Sequence, residues 1–168
     1  MYETNRLILR KAVFSDWEQM YRNIWCHEET ARYMLWAVTE SESAAKERME
    51  RTIAFQQSHH AWLVVEKESG KAIGFAGLRE ESGVCEDTGI AVGPRYVGKG
   101  YGTEILNELV RIAKEGLNAH GFIATCRSEN EASRKMILGC GFRFSHAEPR
   151  VDKRNGDKYT LEFYRKEL

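Results

Sequence analysis

The chain has no excess of charge of either sign: Lys and Arg together number 25, Asp and Glu also 25, and the formal net charge is zero. A general nucleic-acid binder needs a basic surplus against phosphate, and there is none to supply it. No run is apolar enough and long enough for a signal peptide or a membrane span, so no membrane partner is expected. The four cysteines, Cys26, Cys85, Cys126 and Cys140, make no C-x-x-C pair, which indicates neither a zinc ribbon nor a disulfide framework. Free, mostly buried thiols in a reducing cytoplasm are the expectation, with no metal. Internal repeats, low-complexity tracts and linkers are also lacking.

What is present is a globular composition, 42% hydrophobic and 30% charged over 168 residues, enough for one domain with a sizeable core. The chain is organised around Gly89 to Thr103, a short apolar strand, a glycine-rich turn and the start of an amphipathic helix. Such a turn leaves backbone N–H groups unpaired at the positive end of a helix and suits an anion, although a tight connection needs no more than this. Gly93 to Lys99 follows most of a P-loop, but Gly100 stands where that motif needs a Ser or Thr on magnesium. The dinucleotide fingerprint fails as well, because Gly98, Gly100 and Gly102 are spaced G-x-G-x-G and no first βαβ unit surrounds them.

Taken in order, Arg6 to Arg10 reads as a strand. Ser15 and Glu18 have capping-box spacing ahead of a helix to about Ile24, and Thr39 and Glu42 repeat it ahead of a helix from about Glu40 to Gln57. Arg32 to Trp36 is an aromatic loop between them. Trp62–Glu66 and Ala72–Leu78 form a hairpin, and Cys85–Val92 adds a third strand feeding the glycine turn. Ile105, Leu106, Leu109, Ile112, Ala113 and Leu117 make one apolar stripe on the helix that follows. The strand Phe122–Cys126 is then a parallel neighbour of Cys85–Val92. A short helix over Glu131–Leu138 and two strands, near Phe142–Ala147 and Lys158–Arg165 with Asn155-Gly156 at their turn, complete an α+β domain with a mixed sheet, spanning residues 1–168.

Arg95-x-x-Gly98-x-Gly100, Asn130 at the end of the second parallel strand, and Gly141-Phe142 resemble, at these intervals, the GNAT superfamily of acyl-CoA N-acyltransferases. Arg6 to Arg10, Arg32-Tyr33-Met34, the Trp62 strand and Ile73 to Leu78 look like the subgroup of Rim-type ribosomal-protein N-terminal acetyltransferases. The resemblance implies a central, mostly antiparallel sheet with one splayed parallel pair and flanking helices. It implies acetyl-CoA as donor, with the pyrophosphate on the backbone N–H groups of Val97, Gly98, Lys99, Gly100, Tyr101, Gly102 and Thr103, and Arg95 supporting the loop or a phosphate. The pantetheine arm would lie along Ile90, Ala91 and Val92, opposite Asn130, and a strand N–H would polarise the thioester carbonyl.

Acetyl transfer requires a neutral amine, while a lysine-type amine has a pKa of about 10.4 and an α-amine about 8. Glu86 and Asp87, at the start of the strand expected to carry the thioester, are the candidate bases, and an acidic pair there is also compatible with a solvated strand edge. Asp87 matches the acidic position of Rim-type enzymes. Many family members carry a tyrosine acid seven residues after the Asn, and here that position is Ile137. Ser133 matches the Rim-type Ser and would donate to the sulfur or order a water. Asn130 and Ser133 are equally suited to a helix terminus. His59 and His60 are further candidate bases, Tyr33, Trp36 and Tyr159 candidate walls of an acceptor pocket, and Cys126 or Cys140 candidate nucleophiles for a covalent route. The expected activity is direct transfer to a primary amine, a protein N-terminus or a small molecule, by a monomer or homodimer. The alternative is a non-catalytic acyl-CoA-binding regulatory module.

Overall fold

The computed structural model describes all of residues 1–168. Its frame is one eight-stranded sheet built from β1 (Tyr2–Glu3), β2 (Leu7–Arg10), β3 (His60–Glu66), β4 (Ala72–Glu81), β5 (Val84–Val92), β6 (Gly121–Arg127), β7 (Arg143–Val151) and β8 (Lys158–Glu167), in the order β1-β2-β3-β4-β5-β6-β8-β7. Every neighbouring pair is antiparallel except β5 and β6, which run parallel. That exception follows from the chain between them, because a parallel partner needs a crossover and here it is a helix. The mixed, mostly antiparallel sheet with one parallel pair agrees with the expectation from sequence.

Helices cover both faces. One face carries α4 (Tyr101–Arg111, continuing through a wider π turn to Gly116) and α5 (Glu131–Gly139). Ile105, Leu106 and Leu109 of α4 are wholly buried against Trp62, Val64, Ile73 and Phe122 of the sheet. The other face carries α1 (Trp17–Met20, continuing as π turns to Trp25) and α3 (Glu42–Ser58), whose Met20, Ile24, Ala45 and Met49 close on Leu63 and Ala72. Period-two alternation along β3 makes this division, sending Trp62 and Val64 one way and Leu63 the other.

Two cap assignments need correcting. Ser15 is exposed, and the neighbouring Asp16 takes over, accepting the Val13 N–H at 2.9 Å and two bonds from the Arg10 guanidinium. Asp16 prevails because its charge also pairs with a strand residue, whereas a serine hydroxyl would only cap. The second long helix begins at Glu42 with Ser41 as its cap, accepting the Ala44 N–H at 3.1 Å. Thr39 is buried before it, its hydroxyl accepting from Arg48. A short helix, α2 (Glu28–Ala31), precedes the aromatic loop and has no periodic signal in so few residues.

Candidate active site

The site begins at an irregularity in β5. The register against β4 runs Gly77 to Gly89 and then Leu78 to Asp87, so Thr88 is one residue too many. Gly77 admits this bulge, since a Cβ there would stand 2.5 Å from Thr88 Oγ1, and Gly89 turns it with φ at +126°. A bulge bends its strand, and β5 leaves β6 at this point. The parallel ladder holds only Val84 to Glu86 against Gly121 to Ile123. Beyond it β5 stays on β4 and its other edge is bare. The Gly93 N–H donates to Ile73 at 2.8 Å, so by alternation Ile90 and Val92 turn their N–H and C=O groups into the gap.

Asp87 stands where the two strands part. Its carboxylate accepts the Thr125 N–H of β6 at 2.7 Å, spanning the opening. Loss of solvent pushes its pKa up to about 7, against the pull of the Thr125 and Gly89 N–H groups, with the nearby Glu86 charge adding to the rise. A carboxyl that is half protonated near neutrality can exchange a proton with a ligand amine. Glu86 points to the other face and pairs with Arg79 across the hairpin at 2.7 Å. The acidic pair therefore separates into one accessible proton acceptor and one committed ion pair.

The glycine turn follows. Gly98 and Gly100 have φ of +77° and +81°, where a side chain would be strained. None of the N–H groups of Val97, Gly98, Lys99, Gly100, Tyr101, Gly102 or Thr103 donates to another group of the chain. Seven consecutive donors at the start of an eleven-residue helix can hold a diphosphate. Arg6 fixes the turn from behind, donating to the Lys99 carbonyl at 2.9 Å and to Glu104 at 2.7 Å while lying over the Tyr101 ring. The Tyr101 side chain is buried, its hydroxyl on Glu66, so only its backbone faces outward. Arg95 is exposed, and no hydrogen bond or ion pair joins its side chain to the turn.

A cleft of about 460 Å³ passes through the sheet at the parted strands and contains Glu86, Asp87, Ile90, Asn130 and Ser133. Asn130 also caps α5, its Oδ1 accepting the Ser133 N–H at 3.1 Å. Ser133 lies against the Cys126 thiol. Burial pushes that thiol up to about 11 and raises Cys140 as well, which works against either as a nucleophile for a covalent route. Tyr33, Trp36 and Tyr159 line the cleft. His59 does not: it stacks on Phe55 at 3.8 Å and bonds the Phe55 carbonyl. His60 is exposed at the start of β3, away from the lining. No group of three His, Cys, Asp or Glu is placed to hold a metal.

Sequence reasoning missed a cluster beside the cleft. Asp152 is buried, pairs with Arg127 at 2.7 Å and Arg154 at 2.6 Å, and is held well below the usual carboxylate range by these two guanidinium groups, that of Arg154 first. Arg154 reaches on to the Trp36 carbonyl at 2.6 Å, tying the β7–β8 turn to the aromatic loop. Partners 118 residues apart leave no local signal. The Arg79 pairing was accessible in principle, from the register of the β4–β5 hairpin.

Comparison with known proteins agrees with this geometry. Residues 6–143 match the family model described as an acetyltransferase (GNAT) domain. The uncharacterized N-acetyltransferase YoaA of Bacillus subtilis (strain 168) is 25% identical over 167 residues, 96% of this chain and 93% of that protein. A GNAT-family acetyltransferase of Bacillus anthracis superposes with a TM-score of 0.84 at 20% identity, over 98% of this chain and 96% of its own. RimL, a ribosomal-protein α-N-acetyltransferase solved with coenzyme A, superposes at 0.81 and 17% identity, over 98% and 96%. Likeness at these identities is a likeness of fold.

Proposed function

The chain belongs to the GNAT acetyltransferases and is an acetyl-CoA-dependent acetyltransferase; from that premise we propose that it transfers acetyl to a primary amine directly, in a ternary complex, with Asp87 as the proton acceptor. The observation that carries this is the position of Asp87, at the parting of β5 and β6 beside a bare strand edge, with its pKa near 7. The unpaired N–H groups from Val97 to Thr103 suit the pyrophosphate of acetyl-CoA, with exposed Arg95 near them. The bare edge at Ile90, Ala91 and Val92 suits the pantetheine amides, with Asn130 across the gap. When bound, acetyl-CoA supplies the activated acetyl group.

The chain's residues then have three tasks. An inward N–H of β5 polarises the carbonyl, Asp87 takes the amine proton directly or through a water, and Ser133 donates to the departing sulfur or orders a water there. A thiolate with a pKa of about 8.5 leaves readily, so the absence of a tyrosine at buried Ile137 does not stop the reaction. The acceptor is a protein N-terminus, as for the Rim-type enzymes, or a small amine, and the site of action is the cytoplasm, with residues 1–168 as one domain. The second reading, a non-catalytic acyl-CoA-binding module, would need Ile137 in place of a tyrosine to silence that reaction.

Thiol release from acetyl-CoA, measured over a panel of peptides and small amines, separates the two. Turnover above hydrolysis, falling ~100-fold or more in Asp87→Asn with CoA affinity intact, supports the enzyme and its base. A smaller fall in Ser133→Ala assigns the sulfur role. Tight CoA binding with no turnover on any amine would favour the module.

A further inference from the structure

The sheet divides the cleft into two unlike halves. Leu106, Met136, Ile137, Asn130 and Ser133 belong to α4, α5 or the turn before α5 and face the gap from that side. Alternation along the strands sends Phe75, Arg79, Glu86, Arg127 and Tyr159 to the opposite face, where the loop carrying Tyr33 and Trp36 closes over them. Asp87 lies opposite Leu78 on the first face and closes the opening through the Thr125 N–H, so an acceptor held in the second half would reach it through the gap, and the makeup of that half restricts the acceptor.

Its walls are aromatic. Trp36 tilts against Phe75 with ring centroids 6.4 Å apart, and Tyr159 lies beneath the Arg127 guanidinium at 3.9 Å. Its cations are already committed: Arg79 is paired to Glu86 at 2.7 Å, and Arg127 to Asp152 at 2.7 Å. Among the residues lining the cleft a carboxylate or phosphate on the acceptor would find no unpaired cation, Arg32 and Arg48 lying over the Tyr33 and Trp36 rings but outside the lining, and burying it unpaired is costly. A polyamine is served no better. Asp87 is the one carboxylate in the cleft without a cation partner, and it stands at the reacting centre.

Building on the acetyltransferase reading, we propose that the acceptor is a primary amine borne on an aromatic, otherwise uncharged body, with the ring held among Trp36, Phe75, Tyr33 and Tyr159. A small arylalkylamine and a peptide with an aromatic first residue share this chemistry. Phenethylamine, the amide of a tripeptide beginning with phenylalanine, free phenylalanine and spermidine are the probes. Free phenylalanine differs from phenethylamine by one carboxylate, which isolates the charge argument.

The expected result is a kcat/KM for phenethylamine or the peptide amide at least ~100-fold above free phenylalanine and ~10-fold above spermidine. Whichever of the first two leads identifies the source of the amine. Trp36→Ala and the half-exposed Tyr33→Ser should each raise KM for the aromatic amine several-fold while kcat changes less. Equal or higher efficiency with phenylalanine or spermidine overturns the proposal. The same four probes are titrated onto the complex with CoA by calorimetry, where no turnover is needed. The same ranking there supports the proposal even if no acetyl is transferred, a reversed ranking overturns it, and absence of transfer alone counts only against the enzyme reading.

Discussion

Asp87 has its unusual proton affinity because loss of solvent at the end of the parallel ladder outweighs the Thr125 and Gly89 N–H groups, which favour its ionised form. The sign of its effect on stability follows from the shift. Its folded pKa of about 7 lies above the ordinary 3.8, so the folded chain holds this proton more tightly than the unfolded chain. Its contribution is complete below about pH 3.8 and is lost as pH rises to about 7, above which the ionised carboxylate is a net cost. Asp87→Asn keeps an oxygen for the Thr125 N–H and removes that cost. Urea unfolding at pH 8 should show the variant ~1–2 kcal/mol more stable, at ~1.4 kcal/mol per pKa unit with water in the cleft screening part of the shift. The difference should vanish near pH 4. Acetyl transfer by the parent chain should rise with pH through about 7, and the residual activity of the variant should lack that limb. Which of Glu86 and Asp87 could act was undecidable from adjacency, because the bulge at Thr88 sets which side of the strand each takes.

At the scale of elements, the glycine turn was the most readable feature of the chain. Positive φ at Gly98 and Gly100 is a local demand, and local demands are written in local residues. Nothing lies within 4 Å of the point where a Cβ on Gly98 would stand, so a side chain there meets backbone strain but no clash. Gly98→Glu should therefore fold, at a cost of ~1–2 kcal/mol for the left-handed conformation. Its carboxylate would stand among the donors and weaken CoA binding ~100-fold or more, measured by calorimetry beside a thermal melt. The β5 bulge and the Arg154 tie were less readable for opposite reasons. A bulge depends on how two strands register, and the tie joins the β7–β8 turn to a loop near the other end of the chain.

For the whole molecule, the two halves of the cleft come from elements that meet only after folding, α4 and α5 on one face and the Tyr33–Trp36 loop with β8 on the other. A ligand filling the first half should stabilise everything around it. CoA at ~100 times its dissociation constant adds ~2.7 kcal/mol, which for a chain of this size is a rise in Tm of ~5–10 °C. Scanning calorimetry with and without CoA checks this, and an unchanged Tm would deny the donor site. The sequence by itself determined the order of the main elements, the glycine turn, the parallel strand pair and the candidacy of Asn130, because periodicity, turn chemistry and crossover length act over a few residues at a time. Only the tertiary structure decided that Asp87 stands in the cleft where the strands part, that His59 and His60 stand aside, and that the half of the cleft away from α4 and α5 is aromatic with its lining cations already paired. Those outcomes depend on strand register and on contacts between distant segments, where the final position of one side chain is set by residues with no mark of the relation in their own neighbourhood.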